Sequence, residues 1–189
     1  LLVLMCGSFR ENQTRPVPDR AAESAVYNTV LAAQVAVGDT TVHVLVHRAL
    51  VRLLAGGERA ALLKRLVVFG VPRDLANTLL DAPAGPFDTS MVARAPSVVM
   101  MEPTMPRRVA TTDSAERQRY VDAIAPLYEN SPRHRWVGLS RIVFSEDGTH
   151  AAVYVEMSCG WTCGRFAVYV LRRQAGQWDI SDVLTLAVA

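Results

Sequence analysis

Leu139-Ser-Arg-Ile-Val-Phe144, Thr149-His-Ala-Ala-Val-Tyr-Val-Glu-Met157, Arg165-Phe-Ala-Val-Tyr-Val-Leu-Arg172 and Gln177-Trp-Asp-Ile-Ser-Asp-Val-Leu-Thr-Leu-Ala-Val188 follow one another along the last fifty residues of the chain. Each run is rich in the β-branched and aromatic residues that fit a pleated surface. The runs are separated by Glu146-Asp147-Gly148, by Cys159 to Gly164 and by Ala175-Gly176. None of these connections is long enough for a crossover, so sequence neighbours must pair antiparallel. The fold class predicted from this stretch is α+β, with N-terminal helices packed on a C-terminal four-stranded antiparallel meander.

The faces of the sheet follow from the period of two. In the second run Ala151, Val153, Val155 and Met157 alternate with His150, Ala152, Tyr154 and Glu156, giving one apolar and one mixed face. The apolar face is expected under the helices, and His150, Tyr154 and Glu156 on the mixed face mark a candidate ligand surface. In the fourth run Trp178, Ile180, Leu184 and Leu186 share a face that Asp182 interrupts. An acid there reads as a sheet edge or a bend; a pocket acid is the sharper alternative.

Working upstream, Tyr120, Val121, Ile124 and Tyr128 give an amphipathic helix that Pro126 must kink or end. Ser97 to Met101 reads as a strand. Residues 81 to 96 hold Pro83, Gly85, Pro86 and Pro96 and read as a long loop suited to a mobile flap. Pro72 suits a first helical position ahead of the stripe Leu75, Leu79 and Leu80. Ala49 to Phe69 reads as two helices or one broken at Gly56-Gly57, and Thr40 to Val46 as a strand of a short hairpin. Val26, Tyr27, Val30 and Leu31 lie on one face of a helix over residues 20 to 34, which Asp19 can cap. Residues 1 to 18 form a start and tether, and 19 to 189 a single α+β domain.

At 189 residues the chain can remove roughly 70% of its unfolded surface from water, so no metal or disulfide is obligatory for folding. Its net charge of +2 is spread without a basic run, which argues against nucleic acid as a partner. Leu1 to Met5 is apolar and runs into Cys6-Gly7-Ser8, as at the end of a lipoprotein signal, which makes Cys6 a possible lipidation site and a lipid anchor there the one expected membrane link.

Cys159 and Cys163 are separated by three residues in a glycine-rich turn between strands, a spacing that allows a disulfide. Closing so small a loop is worth only about 2 kcal/mol. Free buried thiols, a redox pair or a metal site are the alternatives. Redox pairs normally open a helix, and zinc needs two further ligands. A disulfide requires an oxidising compartment, in agreement with export. Trp161 in the same turn is a candidate ligand contact.

His43 and His47 are four apart with Val44, Leu45 and Val46 between them, which reads as an ordinary strand. His134 lies in Ser131-Pro-Arg-His-Arg-Trp136, read as a solvated loop with an anion contact as the alternative. There is no Gly-x-Ser-x-Gly elbow, phosphate-cradling glycine loop or dinucleotide fingerprint. Ser140 and Ser158 lack a His and an acid at a defensible spacing. No catalytic residue, metal ligand or cofactor is therefore assigned.

The C-terminal pattern, Ser140-Arg-Ile-Val-Phe144, Ala151 to Val155, Cys159-Gly160, Cys163-Gly164 and the late Trp178, resembles an uncharacterised group of bacterial exported or lipoprotein-like domains. About fifty residues carry the likeness, with a fainter match at Val26 to Leu31. Arg165-Phe166 stand where such domains often carry a further Gly. The resemblance implies export and an α+β fold, and supplies no catalytic residues. Together these readings favour a non-catalytic domain of the cell envelope, periplasmic or outer-surface, that binds a small ligand or another envelope protein. The rival is a hydrolase-type enzyme using His150, Glu156 or Asp182 in a pocket under the helices.

Overall fold

The computed structural model of the chain describes residues 19–36, 43–47, 49–50, 53, 59–93, 98–101, 134–158 and 164–188, together with helical backbone at 114–115, 118–119, 121–122 and 125. The elements are α1 (Arg20–Ala36), β1 (His43–His47), β2 (Ala49–Leu50), α2 (Arg59–Val68), α3 (Arg73–Asp81), β3 (Gly85–Pro86), β4 (Val98–Met101), β5 (His134–Leu139), β6 (Val143–Phe144), β7 (His150–Ser158), β8 (Gly164–Gln174) and β9 (Gln177–Val188). This is an α+β chain with α1, α2 and α3 in its N-terminal half and an antiparallel meander at its end.

The meander runs β6, β7, β8, β9, and it is one side of a larger sheet. The order is β4-β1-β5-β7-β8-β9, with β6 paired to β7 beside β5. The first meander strand is thus split. Leu139 pairs with Val155 and Val143 with Ala152, and between them the chain leaves the ladder at Ser140–Ile142. Ser140 bridges the gap: its N–H donates to the Tyr154 carbonyl at 2.9 Å, and its Oγ accepts from the Tyr154 N–H at 2.9 Å.

Beyond β5 the sheet turns parallel. β1 lies between β4 and β5 and runs parallel to both, so it is not half of a hairpin. Two parallel neighbours so distant in sequence leave no short-range turn signal to read.

Both sheet faces are covered. On one side α1 brings Val26, Tyr27, Val30 and Leu31 against Val46, Val137, Leu139, Ala151, Val153, Val155, Tyr169, Leu171 and Trp178. On the other, α2 and α3 bring Leu66, Leu75, Ala76, Leu79 and Leu80 against Val143, Ala152, Tyr154, Val168, Val170 and Leu184. The mixed face of β7 is therefore an interior surface. Ala152 is small and Tyr154 is only 5% exposed, so the face takes a helix pair as readily as the all-apolar one does.

The 81–96 segment is likewise no free flap over its described part, residues 81–93. Phe87 is buried and meets the Tyr27 ring edge-on at 5.0 Å. The Asn28 amide donates to the Met91 carbonyl and accepts from the Ala93 N–H at 2.7 Å, while Ser24 Oγ donates to the same Met91 carbonyl.

A bulge corrects the reading of β9. Val170 pairs with Asp182 and Leu171 with Ile180, so Ser181 is the extra residue and its hydroxyl donates to the Val170 carbonyl. An inserted residue switches the faces downstream. Trp178, Ile180 and Val183 pack with α1, whereas Leu184 and Leu186 pack with α2 and α3. Asp182 is the exposed residue beside the bulge of an edge strand.

The β8–β9 turn is made by Ala175 and Gly176, with φ of 48° and 84°. Two successive positive φ values are the signature of the hairpin turn that favours Asn-Gly, and a residue with a Cβ is strained at the first position. Ala175→Asn is expected to raise stability by about 0.5–1 kcal/mol; an unchanged or lowered urea midpoint would contradict this account of the turn.

Candidate functional site

The residues singled out from the sequence do not meet at one point. His150 opens β7 and Glu156 lies six residues further along it, about 20 Å away at the rise of a strand. Asp182 is level with Val170, which is level with Ala152, so it stands two strands from β7, or about 10 Å across the sheet. These three side chains do not form one acid–base constellation. Cys6, Cys159, Trp161 and Cys163 lie outside the described residues.

Each of the three has a local explanation. Tyr154 O–H donates to Glu156 Oε1 at 3.1 Å, and burial followed by the neighbouring carboxylate pushes the phenol pKa well up. The pair is a partly buried polar contact at the rim of the α2–α3 core. Asp182 stands exposed on the outer strand. Ser140 is 1% exposed, and its hydroxyl donates to the Arg141 carbonyl. With its proton on the Arg141 carbonyl and the Tyr154 N–H donating to it, this hydroxyl bridges the break in the strand.

His150 belongs to the tightest polar cluster. The Ser145 N–H and the His150 carbonyl close the β6–β7 hairpin at 3.0 Å, and the His150 N–H donates to Ser145 Oγ at 2.9 Å. Asp147 then gathers the turn. Its carboxylate accepts from the Ser145 hydroxyl at 2.6 Å, the Thr149 N–H at 3.0 Å and the Thr149 hydroxyl at 2.8 Å. Thr149 Oγ1 also lies 2.9 Å from His150 Nδ1. A threonine hydroxyl has one proton, and it goes to Asp147, so the imidazole Nδ1–H must be the donor to Thr149. In the neutral ring that tautomer carries its lone pair on Nε2. The arrangement orients a base, but both neighbouring hydroxyls are already committed and no nucleophile stands opposite it among the described residues.

A second cluster stands at the start of α1. Arg20 bridges Asp88 at 2.7 Å, and Asp88 caps the turn at Ser90. Hydrogen bonds from Ser90 hold the Asp88 carboxyl below its usual pKa, with Arg20 adding to them. Glu23, one turn on, is raised instead: burial outweighs the attraction of Arg141. Tyr27 O–H donates to the Ser140 carbonyl at 3.0 Å, which ties the helix to the break in the first meander strand. Arg20 and Tyr27 thus fix α1 to its neighbours.

One feature escaped the sequence reading. Among the described residues the exposed large hydrophobics are Val68 (79%), Phe69 (41%) and Val188 (77%). Val68 ends α2, Phe69 follows it into the turn at Gly70, and Val188 ends β9. Arg65, in the last turn of α2, donates to the carbonyls of Thr185 at 2.8 Å and Leu186 at 3.1 Å. That clamp brings the end of the helix to the end of the strand, and chain geometry keeps the three apolar side chains within roughly 20 Å of one another. The run Val67-Val68-Phe69, wider than a helical stripe needs, was the available signal.

Among the described residues no group of three or more His, Cys, Asp and Glu is placed to hold a metal ion, and no helix is long and apolar enough to cross a membrane. Comparison with protein-family profiles, with curated proteins and with solved structures finds no match.

The Asp147 carboxyl is held down to about 2, first by the Ser145 hydroxyl and then by the two Thr149 groups. A depressed carboxylate stabilises the fold above its unfolded pKa and loses that contribution as pH falls through the folded value. Asp147→Ala is therefore expected to melt below wild type at neutral pH, with the gap closing between about pH 4 and pH 2. A gap that persists unchanged at pH 2 would show that the turn owes nothing to the charge.

Proposed function

We propose that the chain is a non-catalytic domain of the cell envelope that binds another protein through the end of the molecule where α2 and β9 finish. The observation that carries this reading is the exposure of Val68 and Phe69 at the end of α2 and of Val188 at the end of β9, two ends that Arg65 ties together. Large apolar side chains exposed singly are ordinary, but a grouped set with a polar rim is what a partner protein covers. Exposed apolar side chains at element ends suit a partner protein, whereas a small ligand needs a concave site. The dispersal of His150, Glu156 and Asp182 removes the constellation on which the enzyme alternative rested.

The envelope part of the proposal rests on the residues themselves. The apolar start into Cys6, the Cys159 and Cys163 spacing, and the likeness of the C-terminal pattern to exported lipoprotein-like domains support it. Cys6 is the candidate anchor and Cys159 to Cys163 the candidate disulfide, with Trp161 between them as a further contact for the partner.

A photo-crosslinking residue placed at position 69 in the cell that makes the protein is expected to give one adduct of defined mass, diminished several-fold by Val68→Asp. The same residue at Glu146, in the opposite turn, gives none. Equal adducts at both positions, or none at 69, would defeat the docking end. The address has its own check. Intact mass after alkylation should show two more modified thiols when the chain is first reduced, and equal alkylation before and after reduction would count against an oxidising compartment.

A further inference from the structure

α2 ends in a turn that its backbone fixes. The Val71 N–H donates to the Leu66 carbonyl at 3.0 Å and the Gly70 N–H to that of Val67 at 3.1 Å, with Gly70 at a φ of 97°. This pair of bonds is the usual glycine-closed helix end, and Leu66 and Val71 both lie in the α2–α3 core. Val68 and Phe69 are therefore held out on a rigid bend. Two cations stand beside them. Lys64 precedes Val68 by four residues on the helix, which puts both exposed side chains on one side of it. Arg73 opens α3 four residues after Phe69 and is exposed as well. Neither has an acidic partner among the described residues, whereas Arg20 is paired to Asp88 and Arg59 to Asp81. Arg65 is spent on the β9 carbonyls.

Helix electrostatics accounts for Lys64 but not for Arg73. A cation is favoured in the last turn of a helix and disfavoured in the first, where the partial charge is positive. Asp74 suits that first turn, and being adjacent to Arg73 on the helix it does not face it. On the basis of the docking end proposed above, we infer that the partner presents an acidic rim around an apolar contact, with carboxylates meeting Lys64 and Arg73 and a large apolar side chain over Val68 and Phe69. Uncommitted cations beside exposed apolar groups draw in a surface of opposite charge and turn away a basic one. The fixed bend lowers the cost of ordering that contact. An anionic lipid surface is the poorer match. Basic clusters that hold a protein to lipid carry about four to eight Lys and Arg, and at this bend Lys64 and Arg73 alone are uncommitted among the described residues.

The test uses the full chain carrying the photo-crosslinking residue at position 69, in the cell that makes it. Lys64→Glu combined with Arg73→Glu is expected to lower the adduct roughly tenfold while the melting temperature stays that of the parent. Lys64→Arg combined with Arg73→Lys, which keeps both charges, should leave the yield unchanged. Should the reversed variant fail to fold, Lys64→Gln combined with Arg73→Gln decides by the same readout, with a smaller loss. A yield that ignores the reversal while Val68→Asp still removes the adduct overturns the acidic rim and leaves the docking end standing. No adduct at position 69 in the otherwise wild-type chain takes away the docking end itself. Flotation of the purified chain with phosphatidylcholine vesicles holding about 30% phosphatidylglycerol covers the other occupant. Binding to them that the reversal abolishes would assign the bend to a lipid surface and overturn the protein partner.

Discussion

Burial of β7 and β8 on both faces is the constraint on which the architecture depends. Ala151 through Val155 and Ala167 through Leu171 are all buried, odd and even positions alike. A strand pair of that kind cannot leave one face in water, so the sheet must be covered on both sides. α1 covers one side and α2 with α3 the other. The remaining features follow as fittings between those layers: the Tyr27 to Ser140 bond, the Asn28 hold on the 91–93 backbone, and the Arg65 clamp on β9.

The outer strands show how the sheet is brought to an end. β9 is long, at 12 residues, and its outer side has no strand partner among the described residues. Thr29 donates to the Trp178 carbonyl on one stretch and Arg65 to those of Thr185 and Leu186 on another. Between them lie the bulge at Ser181 and the charge of Asp182. Bulges, charges and side-chain cover are the means by which an edge is made unattractive to a further strand. The interruption at Asp182 in an otherwise apolar face is explained by this position, without a pocket.

Much of this was legible in the sequence, and the parts that were not share a cause. The meander could be read because period-two alternation and Gly-containing turns are local, and α1 and α3 because their apolar residues recur at helical spacing. Pro72 precedes α3 as its cap. The parallel placement of β1 depends on partners about 50 and 90 positions away, which no window can show. The mixed face of β7 was misread because Ala152 and the ring of Tyr154 suit an interior once a helix pair is available to cover them. Ser181 was missed because a bulge changes which residues share a face while leaving composition unchanged. As for function, His150, Tyr154 and Glu156 are held in hydrogen bonds of the fold, and the exposed Val68 and Phe69 were hidden in what looked like an ordinary helix end.

The insertion of β1 between β4 and β5 also sets an order of events when the chain folds. The apolar stripe of α1 rests largely on residues between Val137 and Trp178, and β1 needs β4 and β5 on its two sides. α1 and β1 therefore lack most of their native bed until the meander has been made. Loop closures of this length slow folding far more than they weaken the final state. The meander, whose contacts are local, can assemble ahead of the rest and serve as the template on which α1 and β1 complete their packing.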